Sequence, residues 1–170
     1  MYEPKHPERY WEILQLNIEW LRFSETKATM LLTVYGILFT IAYTNSTQVF
    51  ESLTDSIWIT FLVFFYGITS LISIAFAFLC VNPSLKTGPA TSIIYFGHIY
   101  QDLSQIVYKK RAKEIIDDEE KLTDQITEQI YVISKIAWVK YRNVGWSIRF
   151  FIVSLVIMLI AIFSYVIQNL

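Results

Sequence analysis

Residues 56–81 read SIWITFLVFFYGITSLISIAFAFLCV and contain no charged side chain. A bilayer core is spanned by roughly 20 predominantly apolar residues in a helix. Helices buried in water-soluble proteins are rarely apolar on every face for so long. Two more charge-free runs occur, from Ala28 to Phe50 and from Phe150 to Leu170. The expected membrane spans are Ala28–Asn45, Ser56–Val81 and Phe150–Gln168, and a water-soluble bundle with three central helices is disfavoured. The first span is not a signal peptide, because a long head rich in charge and aromatics precedes it.

Composition agrees. The 170-residue chain is 54% hydrophobic and 17% charged, whereas a soluble domain is about 45–50% apolar and about 25% charged. Twelve Phe, 11 Tyr and 5 Trp exclude a disordered chain. A net charge of −1 argues against binding a nucleic-acid polymer. The single cysteine, Cys80, excludes an intramolecular disulfide framework and a cysteine zinc site.

Orientation follows from the 14 Lys and Arg residues. Lys5, Arg9, Arg22 and Lys27 lie in the head, and the other ten lie in Asn82–Arg149. The loop Ser46–Asp55 has none. The positive-inside rule places the head and the long segment in the cytoplasm, with the short loop and Gln168-Asn169-Leu170 outside. Four regions result: a cytoplasmic amphipathic helix in 1–27, two membrane helices with a short outer loop in 28–81, a cytoplasmic helical sensing region in 82–149, and a third membrane helix in 150–170.

The head reads as helix from Glu8 to Ser24, with Trp11, Leu14, Ile18 and Leu21 on its apolar line, and runs on into the first span. A second helix is expected over Ser92–Ile115, facing inward through Ile99, Leu103, Ile106 and Val107. Asp117-Asp118-Glu119-Glu120 suits the start of another helix, where carboxylates meet the positive end of the dipole. That helix keeps Leu122, Ile126, Ile130, Ile133, Ala137, Tyr141 and Val144 at helical spacing and is expected to continue to Gln168. Pro83, Gly88 and Pro89 mark a break after the second span. The fold class is therefore an all-α membrane protein: three transmembrane helices, extended into a cytoplasmic helical bundle, with the N-terminus in and the C-terminus out.

The chain holds no phosphate-binding glycine loop, no His-Glu-x-x-His, no Gly-x-Ser-x-Gly and no Cys-x-x-Cys, and no enzymatic activity is expected. No metal ligand set or cofactor is expected either. The spans carry no charged residue, which speaks against a coupled transporter. Gly36, Gly67, Thr69, Ser70, Ser73, Ala75, Ala77, Ser154, Ala161 and Ser164 suit close helix packing, within one chain or in a homo-oligomer.

Three stretches carry a resemblance. They are Ser24-Glu25-Thr26-Lys27-Ala28 leading into Leu31–Gly36, Ile94-Tyr95-Phe96-Gly97-His98-Ile99, and Gln129–Ala137 followed by Lys140-Tyr141. In this order the chain resembles the transmembrane effectors of bacterial Pycsar and related cyclic-nucleotide anti-phage systems. One departure is visible, since Glu25 stands where the family motif has Asp. The resemblance implies an inner-membrane protein that responds to a cyclic nucleotide from a partner cyclase, cCMP or cUMP, and impairs the membrane so that growth stops. An anionic nucleotide needs cations, donors and stacking surfaces. The matching motifs supply Lys27, Tyr95, His98, Lys135, Lys140, Tyr141 and Arg142, with Glu25 able to orient Lys27 or Lys140. The competing reading is a membrane anchor or scaffold whose cytoplasmic helices recruit a partner.

Overall fold

The computed structural model describes residues 7–47, 50, 56–83, 92–101 and 104–168, with Phe96 and Gln101 described by their backbone alone. Lys5, His6, most of the loop after the first span, Gly88, Pro89, Leu103 and the last two residues lie outside this set. The elements are all helices: α1 (Pro7–Thr44), α2 (Ile57–Val81), α3 (Phe96–Gln101), α4 (Gln105–Ile116) and α5 (Glu119–Gln168). Three of them, α1, α2 and α5, are long and apolar enough to cross a membrane.

Helix boundaries follow local chemistry. Pro7 opens α1 at the position where its missing N–H costs nothing. α2 stops before Pro83, which pushes Asn82 out of the helical region to φ −56°, ψ 128°. Asp118 precedes α5 and caps it: one carboxylate oxygen accepts the N–H groups of Glu120 (3.1 Å) and Lys121 (3.2 Å). The acidic cluster thus starts the helix, as expected from its charge. α5 itself has the expected bounds and 50 residues, roughly 75 Å at 1.5 Å per residue.

The expected helix Ser92–Ile115 is corrected. Ser92–Tyr95 is not helical, and the rest divides into α3 and α4, with Ser104 extended (φ −68°, ψ 152°) at the start of α4. Its inward face also differs. Ile106 is 83% exposed and Val107 half exposed, while Ile115 is buried. Polar contacts also tie α4 to its neighbours: the Tyr108 hydroxyl donates to Ile93 O (3.4 Å), and Glu114 pairs with Lys121 of α5 (3.3 Å). Trp11 of the head likewise lies toward solvent, while Leu14 is buried and Ile18 and Leu21 are half-buried.

The chain forms two compact units. The first comprises residues 1–22 and 83–138, the second residues 23–82 and 139–170. Within the first, Ser134 Oγ donates to Asn17 Oδ1 (2.8 Å), joining α5 to α1. Leu14, Ile93, Ile115, Ile126 and Ala137 are its buried apolar residues among those described.

The second unit is inside out. Its apolar cluster is small: Ala28, Ala77, Cys80 and Val144, with Leu31, Leu32 and Ile148 against it. Its other buried residues include Ser24, Ser70, Ser73, Ser147, Ser154 and Lys140. Large apolar side chains point outward instead, among them Met30, Ile37, Phe61, Phe64, Leu71, Phe78, Ile152 and Phe163. Such a surface belongs in lipid. The inward positions repeat every seven residues: Ile59, Tyr66, Ser73 and Cys80 in α2, and Lys140, Ser147 and Ser154 in α5. That period keeps one face on its neighbours along a long helix.

Hydroxyls divide by position. Thr29, Thr33, Thr40 and Thr44 each donate to the carbonyl four residues back on α1, as Thr60 and Thr69 do on α2. A threonine can therefore face lipid with its hydroxyl satisfied. Ser73 and Ser147 reach across. Ser73 Oγ donates to Ser147 O (2.7 Å), and Ser147 Oγ donates to Ser73 O (2.8 Å). Ser154 Oγ donates to Phe151 O of its own helix (2.8 Å) and lies 3.3 Å from the Tyr35 hydroxyl. Gly36 and Gly67 are not part of this packing, since a Cβ at either would meet nothing within 4 Å.

The Asp118 cap carries a pH dependence. Backbone N–H groups of Lys121 and Glu120 hold its carboxyl below the usual carboxylate range. Its stabilisation is therefore complete above the ordinary aspartate value of about 3.9 and is lost as pH falls through the lowered value. We expect amide exchange at Glu119–Leu122 to accelerate in that acidic window. In Asp118→Ala the same acceleration should appear already at neutral pH, with the rest of α5 still protected.

Candidate functional site

The sequence-derived candidates fall into two groups, one in each unit. Lys27, Lys140, Tyr141 and Arg142 belong to the second unit, and Tyr95, His98 and Lys135 to the first.

In the second unit, the start of the SETKA motif sits on α1 where that helix meets α5. Lys140 is 3% exposed, yet it carries an ammonium group. Glu25 supplies the counter-charge by a short ion pair to Lys140 Nζ. Of the two lysines that Glu25 was expected to orient, it takes Lys140. The glutamate is partly exposed, so one end of the pair keeps solvent contact. Ser24 is fully buried beside it, and its carbonyl accepts the Cys80 thiol (3.5 Å).

Lys27 lies one position before the buried Ala28 and is positioned by rings. Its ammonium stands 4.1 Å from the Phe23 ring centroid and 5.4 Å from that of Tyr141. Both distances fall within the range of cation–π attraction. Lys27 and Tyr141 are therefore brought together, with Phe23 as a member the sequence reading missed. Phe23 lies four residues before Lys27, a spacing that places two side chains on one helix face and was the available signal. Arg142 and Lys135 are exposed on α5.

In the first unit, the segment Ser92–His98 forms a built loop. Ser92 and Ile93 are buried. The Ile93 N–H donates to Gln125 Oε1 (3.1 Å), its carbonyl accepts Tyr108, and Ser92 Oγ accepts the Ile94 N–H (3.2 Å). Gln125 and Tyr108 thus act as side-chain partners for a backbone that is neither helix nor strand. Neither was a sequence candidate, and no local spacing marks them. The Tyr95 and His98 rings meet edge to face at 5.0 Å. Gly97 makes room for this, since a Cβ there would come within 2.6 Å of the Tyr95 ring.

His98 has an unbalanced hydrogen-bond account. Its Nδ1 accepts the Ser92 N–H in a long bond of 3.4 Å. A nitrogen that accepts carries no proton, so the ring proton sits on Nε2. That Nε2 is buried and has no hydrogen-bond partner among the described residues. A buried donor left unmade costs about 1–3 kcal/mol. The loop therefore holds a fixed N–H donor beside an aromatic ring, a pairing suited to an oxygen acceptor on a planar ligand.

No group of three or more His, Cys, Asp or Glu side chains suited to a metal occurs among the described residues. The family model of the Pycsar effector protein domain matches residues 9–167. The chain belongs to the Pycsar effector family. Its place is thus in anti-phage defence, and the three long apolar helices make it a membrane protein. No curated protein and no solved structure matches the chain. The match covers α1 almost from its start and α5 almost to its end, so both candidate groups lie inside the Pycsar effector domain.

The Glu25–Lys140 pair predicts an asymmetry between its members. Glu25→Ala strands a buried ammonium and should cost about 2–3 kcal/mol, near the low end for breaking a buried pair because Glu25 is partly exposed. Lys140→Met removes the charge and keeps the volume, so it should cost less. Thermal unfolding of the detergent-solubilised variants measures the order.

Proposed function

We propose that this chain is the membrane-impairing effector of a Pycsar system, switched by cCMP or cUMP from a partner cyclase. The observation that carries the reading is a Pycsar effector domain match that runs through all three membrane-long helices. The protein would sit in the bacterial inner membrane, with the head and Asn82–Arg149 in the cytoplasm by the positive-inside rule. The messenger, made in the cytoplasm, would then meet every basic residue of the chain. Homo-oligomerisation through the lipid-facing helices is part of this reading.

Two features suit the messenger chemically. The orphan Nε2–H of His98, beside Tyr95, matches a base carbonyl or the cyclic phosphate. Lys27, between Phe23 and Tyr141, matches the phosphate charge. In both places the aromatic neighbour supplies a stacking face.

The test is membrane potential. Bacteria expressing the chain with a pyrimidine cyclase should depolarise and stop growing, and cells without the cyclase should stay polarised. Cells that remain polarised and growing with either nucleotide would remove the effector reading and favour the anchor or scaffold. Direct binding to purified protein separates the contacts. His98→Phe keeps the ring volume and removes the donor, so it should weaken binding roughly ten-fold or more, as loss of one charge-assisted bond does. Lys27→Met should act similarly. A variant that binds as wild type is not a messenger contact.

A further inference from the structure

We propose that the hydroxyl-lined seam of the second unit is a conducting path for water and small monovalent ions, closed at rest by bonds between its own serines. The proposal rests on the membrane-impairing reading and names where the leak runs.

The seam is polar where packing alone needs only small residues. Alanine and glycine let membrane helices approach equally well. Here the inward positions also include Ser24, Ser70, Ser73, Ser147 and Ser154, with Tyr35 and the Glu25–Lys140 pair, beside the apolar Ala28, Ala77, Cys80 and Val144. From Lys140 to Ser154, α5 rises roughly 21 Å at 1.5 Å per residue, with Ser154 inside the expected third span and Lys140 and Ser147 on its cytoplasmic side. The polar positions thus form a line along the helix axis rather than a single spot.

One member of that line makes no hydrogen bond of full bonding geometry among the described residues. That member, Ser70, is 1% exposed, and the Tyr66 hydroxyl, one turn earlier, is the neighbour that interacts with its Oγ. The lipid-facing threonines show that a hydroxyl on these helices can bond to the carbonyl four residues back. Ser70 makes no such bond, and its Oγ faces the seam. A hydroxyl in this state gains a bond as soon as water reaches it.

The closing bonds are also exchangeable. Ser73 and Ser147 bond to each other's carbonyls, and a bridging water replaces such a bond at little enthalpic cost. Parting the helices therefore hydrates serines, whereas parting a leucine seam would put hydrocarbon into water. The line ends in an apolar stretch. Beyond Tyr66, the inward positions of α2 become Val63 and Ile59, and beyond Tyr35 the inward position of α1 is Leu38. A constriction of this kind blocks ions by excluding water. At the far end of the helices Gln168 Nε2 donates to Ser56 Oγ (3.3 Å), so polar groups resume past the constriction.

Cysteine accessibility in proteoliposomes tests the path. In a Cys80→Ala background, Ser70→Cys is treated with a small charged thiosulfonate, with and without cCMP or cUMP. We expect reaction at least ten-fold faster with the activating nucleotide, and reduced ion flux after modification. Leu71→Cys, on the lipid side, should show no such acceleration. A double variant, Ser73→Cys with Ser147→Cys, joins α2 to α5 across the seam. Oxidation should abolish nucleotide-driven flux while leaving nucleotide binding, and reduction should restore it. Nucleotide-driven flux with an unreactive Ser70→Cys, or undiminished in the oxidised pair, overturns the path and leaves the effector reading standing. Wild-type vesicles that stay tight with both nucleotides overturn the effector reading and the path with it.

Discussion

Hydrocarbon offers no partner to a hydroxyl or an ammonium, and the second unit is arranged around that constraint. Every polar group there has three options: its own helix, a neighbouring helix, or an unmade bond. The threonines take the first option and can therefore face outward. Ser73, Ser147, Tyr35 and Lys140 take the second, which fixes which faces of α1, α2 and α5 meet, while Ser154 donates to Phe151 O of its own helix and meets Tyr35 across the seam. Ser70 is left with the third. Apolar side chains carry little information here, because lipid receives them as readily as protein does. The specificity of helix pairing comes from a handful of short polar side chains set seven residues apart.

The first unit obeys the opposite rule. There Leu14, Ile93, Ile115 and Ile126 are buried in the ordinary way. Its unusual part is a length of irregular backbone, Ser92–Tyr95, buried at Ser92 and Ile93, which must find partners for its N–H and C=O groups. Gln125 and Tyr108 meet that need for Ile93. The result is a loop that sets Tyr95 and His98 against each other and leaves the His98 Nδ1 accepting the Ser92 N–H.

What the sequence made legible follows from this division. Charge-free runs and helical spacing are long-range averages, and they located the three helices long and apolar enough to cross a membrane and both ends of α5. The acidic cluster before Leu122 was readable because a helix start has a local electrostatic signature. The interruption between α3 and α4 was not readable from apolar spacing. Ile99, Ile106 and Val107 imitate a helix face, while the structure is decided by side chains far along the chain. The site was legible in part for the same reason. Lys27 and Tyr141 share a neighbourhood, as the motif suggested. Lys140 counts as one more surface cation when charges are summed, and only its partner, 115 residues away, shows it to be buried.

The inside-out seam has a thermal consequence. The stability of ordinary protein cores varies with temperature because unfolding exposes apolar surface, which raises the heat capacity. Exposing hydroxyls and carbonyls lowers it. If the serines of α2 and α5 hydrate while phenylalanines stay in lipid, separating these helices carries a heat-capacity change of the opposite sign to melting the first unit. The two halves of one chain would then answer cooling and heating differently, with the membrane part spared the loss of hydrophobic drive that weakens a soluble bundle in the cold.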